Sequence, residues 1–99
     1  MDKILGFLGI LNRGRKTLIG ESAYQNIEKG RYAFLASDCS ANTRKNALSS
    51  LKKKEMPLNQ NYSKAELGKA LGYEEISFIL ITDPKAAKKL NENDEGGER

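Results

Sequence analysis

The sequence predicts an α/β protein, a three-layer α/β/α sandwich around a central mixed sheet of about four strands. Three observations carry this expectation. Apolar runs and amphipathic stretches alternate along the chain, separated by Gly, Pro or capping residues, in the order α-β-α-β-α-β-α-β-α. Two of the runs, Ala33–Ser37 and Ile76–Ile81, are almost wholly apolar, as central strands covered on both faces must be. The chain has 99 residues, enough for one core and no second domain.

The elements follow in order. Asp2–Leu11 reads as a helix with Asp2 as its cap and Ile4, Leu5, Leu8 and Leu11 on one stripe. Asn12–Lys16 is a turn around Gly14, and Thr17–Ile19 a short strand with β-branched ends. Gly20 breaks that strand, and a second helix runs from Glu21 or Ser22 to Lys29, stopped by Gly30. After Ala33–Ser37, Asp38 and Ser40 are candidate caps for a helix over Ala41–Lys53. Its inner stripe is expected to be Ala47, Leu48 and Leu51, with Arg44, Lys45, Lys52 and Lys53 outside. Pro57–Leu58 is placed as a minimal strand. Ser63 and Glu66 form a capping box for a helix with Leu67, Ala70 and Leu71 inward and Gly72 at its end. Ile76–Ile81 is the strongest strand. Asp83–Pro84 opens the last helix, expected to close at Leu90. Residues 1–90 are thus one domain, and residues 91–99 (NENDEGGER) an acidic, flexible tail.

Composition narrows the chemistry. There is no histidine, which excludes a histidine general base or histidine-ligated zinc. The single cysteine, Cys39, permits no internal disulfide and fits a reducing, cytoplasmic setting. No apolar stretch has the length of a membrane span. No secretory leader is expected, because no small-residue cleavage site follows Ile4–Leu11. Residues 1–54 carry eleven Lys/Arg against four Asp/Glu, and residues 55–99 six against nine, returning the totals of 17 and 13. A basic front half suits a polyanion such as nucleic acid, and equally a merely soluble surface.

Catalytic patterns are weak. No nucleotide-binding glycine motif follows a strand. Cys39 lies near a helix start, where a thiolate is favoured, but small buried cysteines are commoner and no histidine serves it. An enzyme is not expected, and neither a cofactor nor a metal. For binding, Gly20-Glu21-Ser22-Ala23 leads from strand to helix and offers free backbone N–H groups to phosphate oxygens. Arg15 and Lys16 stand just before it.

The chain resembles the kink-turn-binding ribosomal protein family (the L-seven-Ae and L-thirty-e group), and is most similar to its small bacterial single-domain members. The likeness runs from Ile4 to Leu90. It is carried by Leu5-Gly6-Phe7-Leu8-Gly9, Arg13-Gly14-Arg15-Lys16 before Gly20-Glu21, and the run from Leu35 to Thr43 (LASDCSANT). Glu66-Leu67-Gly68-Lys69-Ala70-Leu71-Gly72 and Ile81-Thr82-Asp83 complete it. The fold this implies is the same α/β/α sandwich. The family meets the sheared G·A pairs of a kink-turn through a G-x-N-E-x-x-K helix start. Matched by position, Gly20 is kept, Ser22 stands for the Asn, Ala23 for the Glu and Asn26 for the Lys. The resemblance also implies a loop, here Tyr73-Glu74-Glu75-Ile76-Ser77, in which Ile76 packs against an unstacked nucleotide, and a rim completed by Asp38.

The expected function is therefore non-enzymatic binding of structured RNA, ribosomal RNA or another kink-turn RNA, by a monomer in the cytoplasm. Association with translation or the ribosome is implied, and no membrane is involved. The competing reading is a protein-docking module of the same fold, favoured by the exchanges at Ser22, Ala23 and Asn26. Restoring them (Ser22→Asn, Ala23→Glu, Asn26→Lys) is expected to tighten kink-turn binding.

Overall fold

The computed structural model describes residues 3–97, so the expected cap at Asp2 lies outside the described residues. Four strands are formed among them: β1 (Thr17–Ile19), β2 (Tyr32–Leu35), β3 (Leu58–Asn59) and β4 (Phe78–Ile81). They alternate with helices α1 (Lys3–Arg13), α2 (Gly20–Gln25), α3 (Ala41–Leu51), α4 (Lys64–Leu71) and α5 (Pro84–Gly97). The sheet order is β1-β4-β2-β3. β4 runs antiparallel to both neighbours, whereas β2 and β3 are parallel, so the sheet is mixed as expected. The two most apolar runs of the sequence are indeed the adjacent central strands, and every residue of β2 and β4 is buried.

The pleat sorts these side chains into two cores. Tyr32 and Phe34 of β2, with Ile79 and Ile81 of β4, face Leu8 of α1, Leu67 of α4 and Leu90 of α5. Ala33, Leu35, Phe78 and Leu80 face the other way, onto Ala23 of α2, Ile27 and Ala47 of α3. Helices therefore cover both faces of the sheet, giving the α/β/α layers. Each large side chain so buried contributes roughly 1.5–3 kcal/mol, which explains how short, glycine-containing helices persist here. Local signals agree at α4. Ser63 and Glu66 close a reciprocal capping box, and Gly72 ends the helix in the left-handed region at φ 86°.

Three expectations change. The second helix does not run unbroken to Lys29. Asn26 donates both its backbone N–H (3.1 Å) and its side-chain amide (2.8 Å) to the Ser22 carbonyl, and the chain continues as a 3-10 turn over Ile27–Lys29. Leu48 does not face inward, being 42% exposed, because Ala47 takes the position against the sheet. The last helix passes Leu90 and extends to Gly97, since residues 91–97 contain no proline to stop it.

Candidate functional site

Strand register decides which loops meet. Because β4 opposes β1 and β2 in direction, its first residues lie beside their last ones: Ile79 pairs with Ile19, and Phe78 with Leu35. β3 ends at the same edge, with Asn59 beside Phe34. The segments leaving these strands and the segment entering β4 converge there, at the end of the sheet where open α/β folds hold ligands. A groove of about 400 Å³ opens at this point. Gly20 and Tyr24 form one side, Thr43 and Asn46 of α3 another, and the α4–β4 loop with Tyr73 and Glu75–Ser77 the third. Two segments singled out far apart in the sequence, Gly20 and Glu75-Ile76-Ser77, thus line one groove.

Its walls are fixed by short contacts. The ring of Tyr24 stacks on Phe78 with centroids 5.0 Å apart and planes 11° from parallel. The Tyr73 N–H donates to the Gly68 carbonyl (2.7 Å) where the loop leaves α4, and near β4 the Ala36 N–H donates to the Ser77 carbonyl (2.8 Å) and the Ile76 N–H to the Lys64 carbonyl (3.1 Å), pinning both ends of the loop. Gly68 lets α4 approach that loop: a Cβ there would stand 2.8 Å from the backbone of Glu74 and Glu75. Gly20 takes φ 59°, the left-handed region, where β1 turns into α2. Ser40 caps α3 by accepting from the Thr43 N–H at 3.1 Å.

The individual candidates fare differently. Glu21 and Ser22 are exposed at the start of α2, and the Glu21 carboxylate accepts from the Gln25 amide at 3.3 Å. Ala23 is fully buried in the core beneath the groove, so it offers no surface and drops out of the site. Asn26 turns its amide onto its own helix, as described above, rather than outward. Ile76 is only 7% exposed and belongs mainly to the core, because its backbone is pinned to α4 with the side chain inward. Tyr73, 52% exposed, is the large apolar side chain that this loop presents to solvent. Asp38 sits at the same edge, where its carboxylate accepts from the Lys64 N–H (2.8 Å) at the first turn of α4. It holds the rim together.

Arg15 and Lys16 are not part of this site. They stand at the opposite end of β1, with Lys16 about 13 Å from Gly20 at the rise of an extended strand. There the Thr82 N–H donates to the Lys16 carbonyl, and the Lys16 ammonium lies 3.6 Å from the Asp83 carboxylate. Conversely, the sequence reading missed Tyr24, Thr43 and Asn46. Thr43 and Asn46 are three residues apart on one side of a helix, but uncharged polar residues at that spacing look like any solvated face.

The groove offers an aromatic platform, hydroxyl and amide hydrogen-bonding groups, and a carboxylate at Glu75. It therefore suits a planar polar group better than a bare phosphate. Among the described residues, no three His, Cys, Asp or Glu side chains are grouped to hold a metal ion, and no helix is long and apolar enough to cross a membrane.

Tyr24 carries a testable consequence. Burial, and secondarily the electrostatic effect of neighbouring Cys39, raise its phenol above the ordinary value of 10.0. The folded form holds its proton longer than the unfolded one, so the associated stability is complete below pH 10 and is lost as pH rises through the raised value. Denaturation midpoints followed into alkali should fall more steeply for the wild type than for Tyr24→Phe, which retains the stack. Parallel curves would show that the phenol is not held in this way.

No family model matches the chain. It is 33% identical over 86 residues to the RNA-binding protein YlxQ of Bacillus subtilis strain 168, covering 84% of this chain and 86% of that protein. It is 31% identical over 98 residues to the RNA-binding protein YlxQ of Enterococcus faecium, covering 96% and 94%. Among solved structures, a protein of unknown function from Bacillus halodurans superposes with a TM-score of 0.81 at 29% identity, over 92% of this chain and 95% of that one.

Proposed function

The chain belongs to the YlxQ family, and from that premise we propose that it is a non-enzymatic RNA-binding protein whose groove takes a bent, partly unpaired segment of structured RNA. The observation that carries this reading is the meeting of the α2 start with the α4–β4 loop in one groove. An RNA duplex presents its bases edge-on and stacked, and a groove of this size admits a base only where the helix is interrupted. Tyr73 supplies a stacking face, while Thr43 and Asn46 supply donors and acceptors for a base edge. The carboxylate of Glu75 in the groove wall opposes entry of a phosphate. Kink-turns and related internal loops have the required geometry, which agrees with the family resemblance. A ribosomal or translation-associated RNA is the natural source, bound by a single copy of the chain.

The test is a titration of the full-length protein with a kink-turn hairpin and with a straight duplex of equal length, over a salt series. Tighter binding to the hairpin at every salt concentration is expected. Tyr73→Ala should weaken hairpin binding by about 1–3 kcal/mol, the worth of one base–aromatic stack, and leave the duplex unaffected. Equal affinity for both RNAs would remove this reading and favour a protein-docking module.

A further inference from the structure

We propose that the solvent-facing stripe of α3 is a second RNA-binding surface, gripping the backbone of the stem that flanks the segment held in the groove. This rests on the RNA reading above and extends it. α3 is the wall between the groove, which Thr43 and Asn46 line, and a separate depression of about 700 Å³ lined by Cys39, Lys45, Leu48, Ser49 and Lys52. Lys45, Leu48, Ser49 and Lys52 follow the i, i+3, i+4, i+7 spacing and so share one face. Lys45 immediately precedes Asn46 and stands about 100° around the helix from it. A strand leaving the groove over α3 therefore meets Lys45 first and Lys52 about two turns later.

The charges on this helix favour a polyanion over the alternatives. α3 has no acidic residue from Ala41 to Leu51, and Lys52, Lys53 and Lys54 follow directly. Arg44 and Lys45 stand near the N-terminal end, where a cation opposes the helix dipole and gains nothing from it. Arg44 has a structural reason to be there, since its guanidinium donates to the Ser37 carbonyl (3.1 Å) and to the Gln60 side chain. Lys54 likewise donates to the Glu28 carbonyl at 2.6 Å. Lys45 and Lys52 are exposed and serve no such structural contact in the fold described above. A phosphate backbone running along the helix gives both a role, and α3 is about 16 Å long, which spans several successive phosphates.

The experiment compares Lys45→Gln/Lys52→Gln with the wild type on two kink-turn hairpins, one with a flanking stem longer than α3 and one with that stem cut short. Glutamine keeps helix propensity while removing charge. On the long-stem hairpin, the slope of log affinity against log salt should become shallower by about two, one for each lost phosphate contact. On the short-stem hairpin the slope should not change. Lys85→Gln/Lys88→Gln, on α5 beyond the other face of the sheet, controls for net charge and should leave both slopes unaltered. Lys45→Arg/Lys52→Arg should restore the long-stem slope. An unchanged long-stem slope, with preference for the kink-turn intact, overturns this inference alone and leaves the stripe to an acidic protein partner. Loss of slope of equal size in the α5 control overturns it too, as a nonspecific charge effect. A wild type that does not distinguish the kink-turn from a straight duplex overturns the groove reading, and this inference with it.

Discussion

Replacing Ala23 by glutamate is expected to destabilise the protein by about 3–5 kcal/mol, the cost of an unpaired charge in a core. Ala23 has no exposed surface and packs in the apolar cluster with Ala33, Leu35, Phe78 and Leu80. A glutamate there would have to lose hydration without gaining a partner, or displace α2 from the sheet. Either outcome removes a large part of the 5–15 kcal/mol that a small domain has in total. Urea titration measures it directly. The deficit should shrink in acid. Burial raises the carboxyl above its ordinary value, so the charge part of the penalty is absent where the group is protonated in both states and grows as pH rises through the raised value, while the cost of fitting the larger side chain remains. Ser22→Glu, one residue earlier and exposed, should change stability by no more than about 0.5 kcal/mol. A variant Ala23→Glu as stable as Ser22→Glu would mean that α2 presents a different face to the sheet.

The burial of Ala23 argues against the expectation that the triple change Ser22→Asn, Ala23→Glu, Asn26→Lys would tighten RNA binding. Position matching alone put Ala23 on the RNA side. A six-residue helix completes too few turns for hydrophobic periodicity to declare its inner face, so burial there was not legible in the sequence. Asn26 was misread for a related reason, since its amide serves the carbonyl of Ser22 and ends the helix instead of reaching outward. The register that the structure favours leaves Glu21, Ser22 and Gln25 as the exposed polar positions of α2.

Other features were legible because they rest on strong local rules. The adjacent central strands were visible as apolar runs, and the start and end of α4 as the Ser63–Glu66 box and Gly72. What the sequence concealed depended on pairing across the sheet. Arg15, Lys16 and Gly20 look like neighbours along the chain, but an intervening strand carries them to opposite ends of the sheet. Glu75–Ser77 and Gly20 look unrelated, but antiparallel pairing of β1 with β4 brings them together. The family resemblance supplied that juxtaposition where residue spacing could not.

Gly68→Ala should damage both stability and RNA binding, although it adds only one methyl group. In an open helix the same change is favourable by roughly 0.5–1 kcal/mol, because alanine restricts the unfolded chain and suits the helix. Gly6→Ala in α1 is the reference, since a Cβ there meets nothing within 4 Å. At Gly68 the added Cβ would lie 2.8 Å from the carbonyl carbon and oxygen of Glu74 and from Cα of Glu75. These are backbone atoms, so no side chain can swing aside, and either α4 or the loop must move. Overpacking of this kind costs about 1–3 kcal/mol, a fall of some 4–8 °C in Tm for each kcal/mol in a chain of this size. The loop is the more yielding of the two, being held by the Ile76 and Ser77 backbone bonds while α4 is held by Leu67 and Leu71 in the core. Its displacement shifts Tyr73 and Glu75 relative to Gly20 and widens the groove. Affinity for a kink-turn hairpin should therefore fall more than tenfold, whereas Gly6→Ala leaves it unchanged and raises Tm slightly. Thermal melts and hairpin titrations on the two variants separate these effects. If Gly68→Ala matched Gly6→Ala in both measurements, the close approach of α4 would not be what sets the shape of the groove.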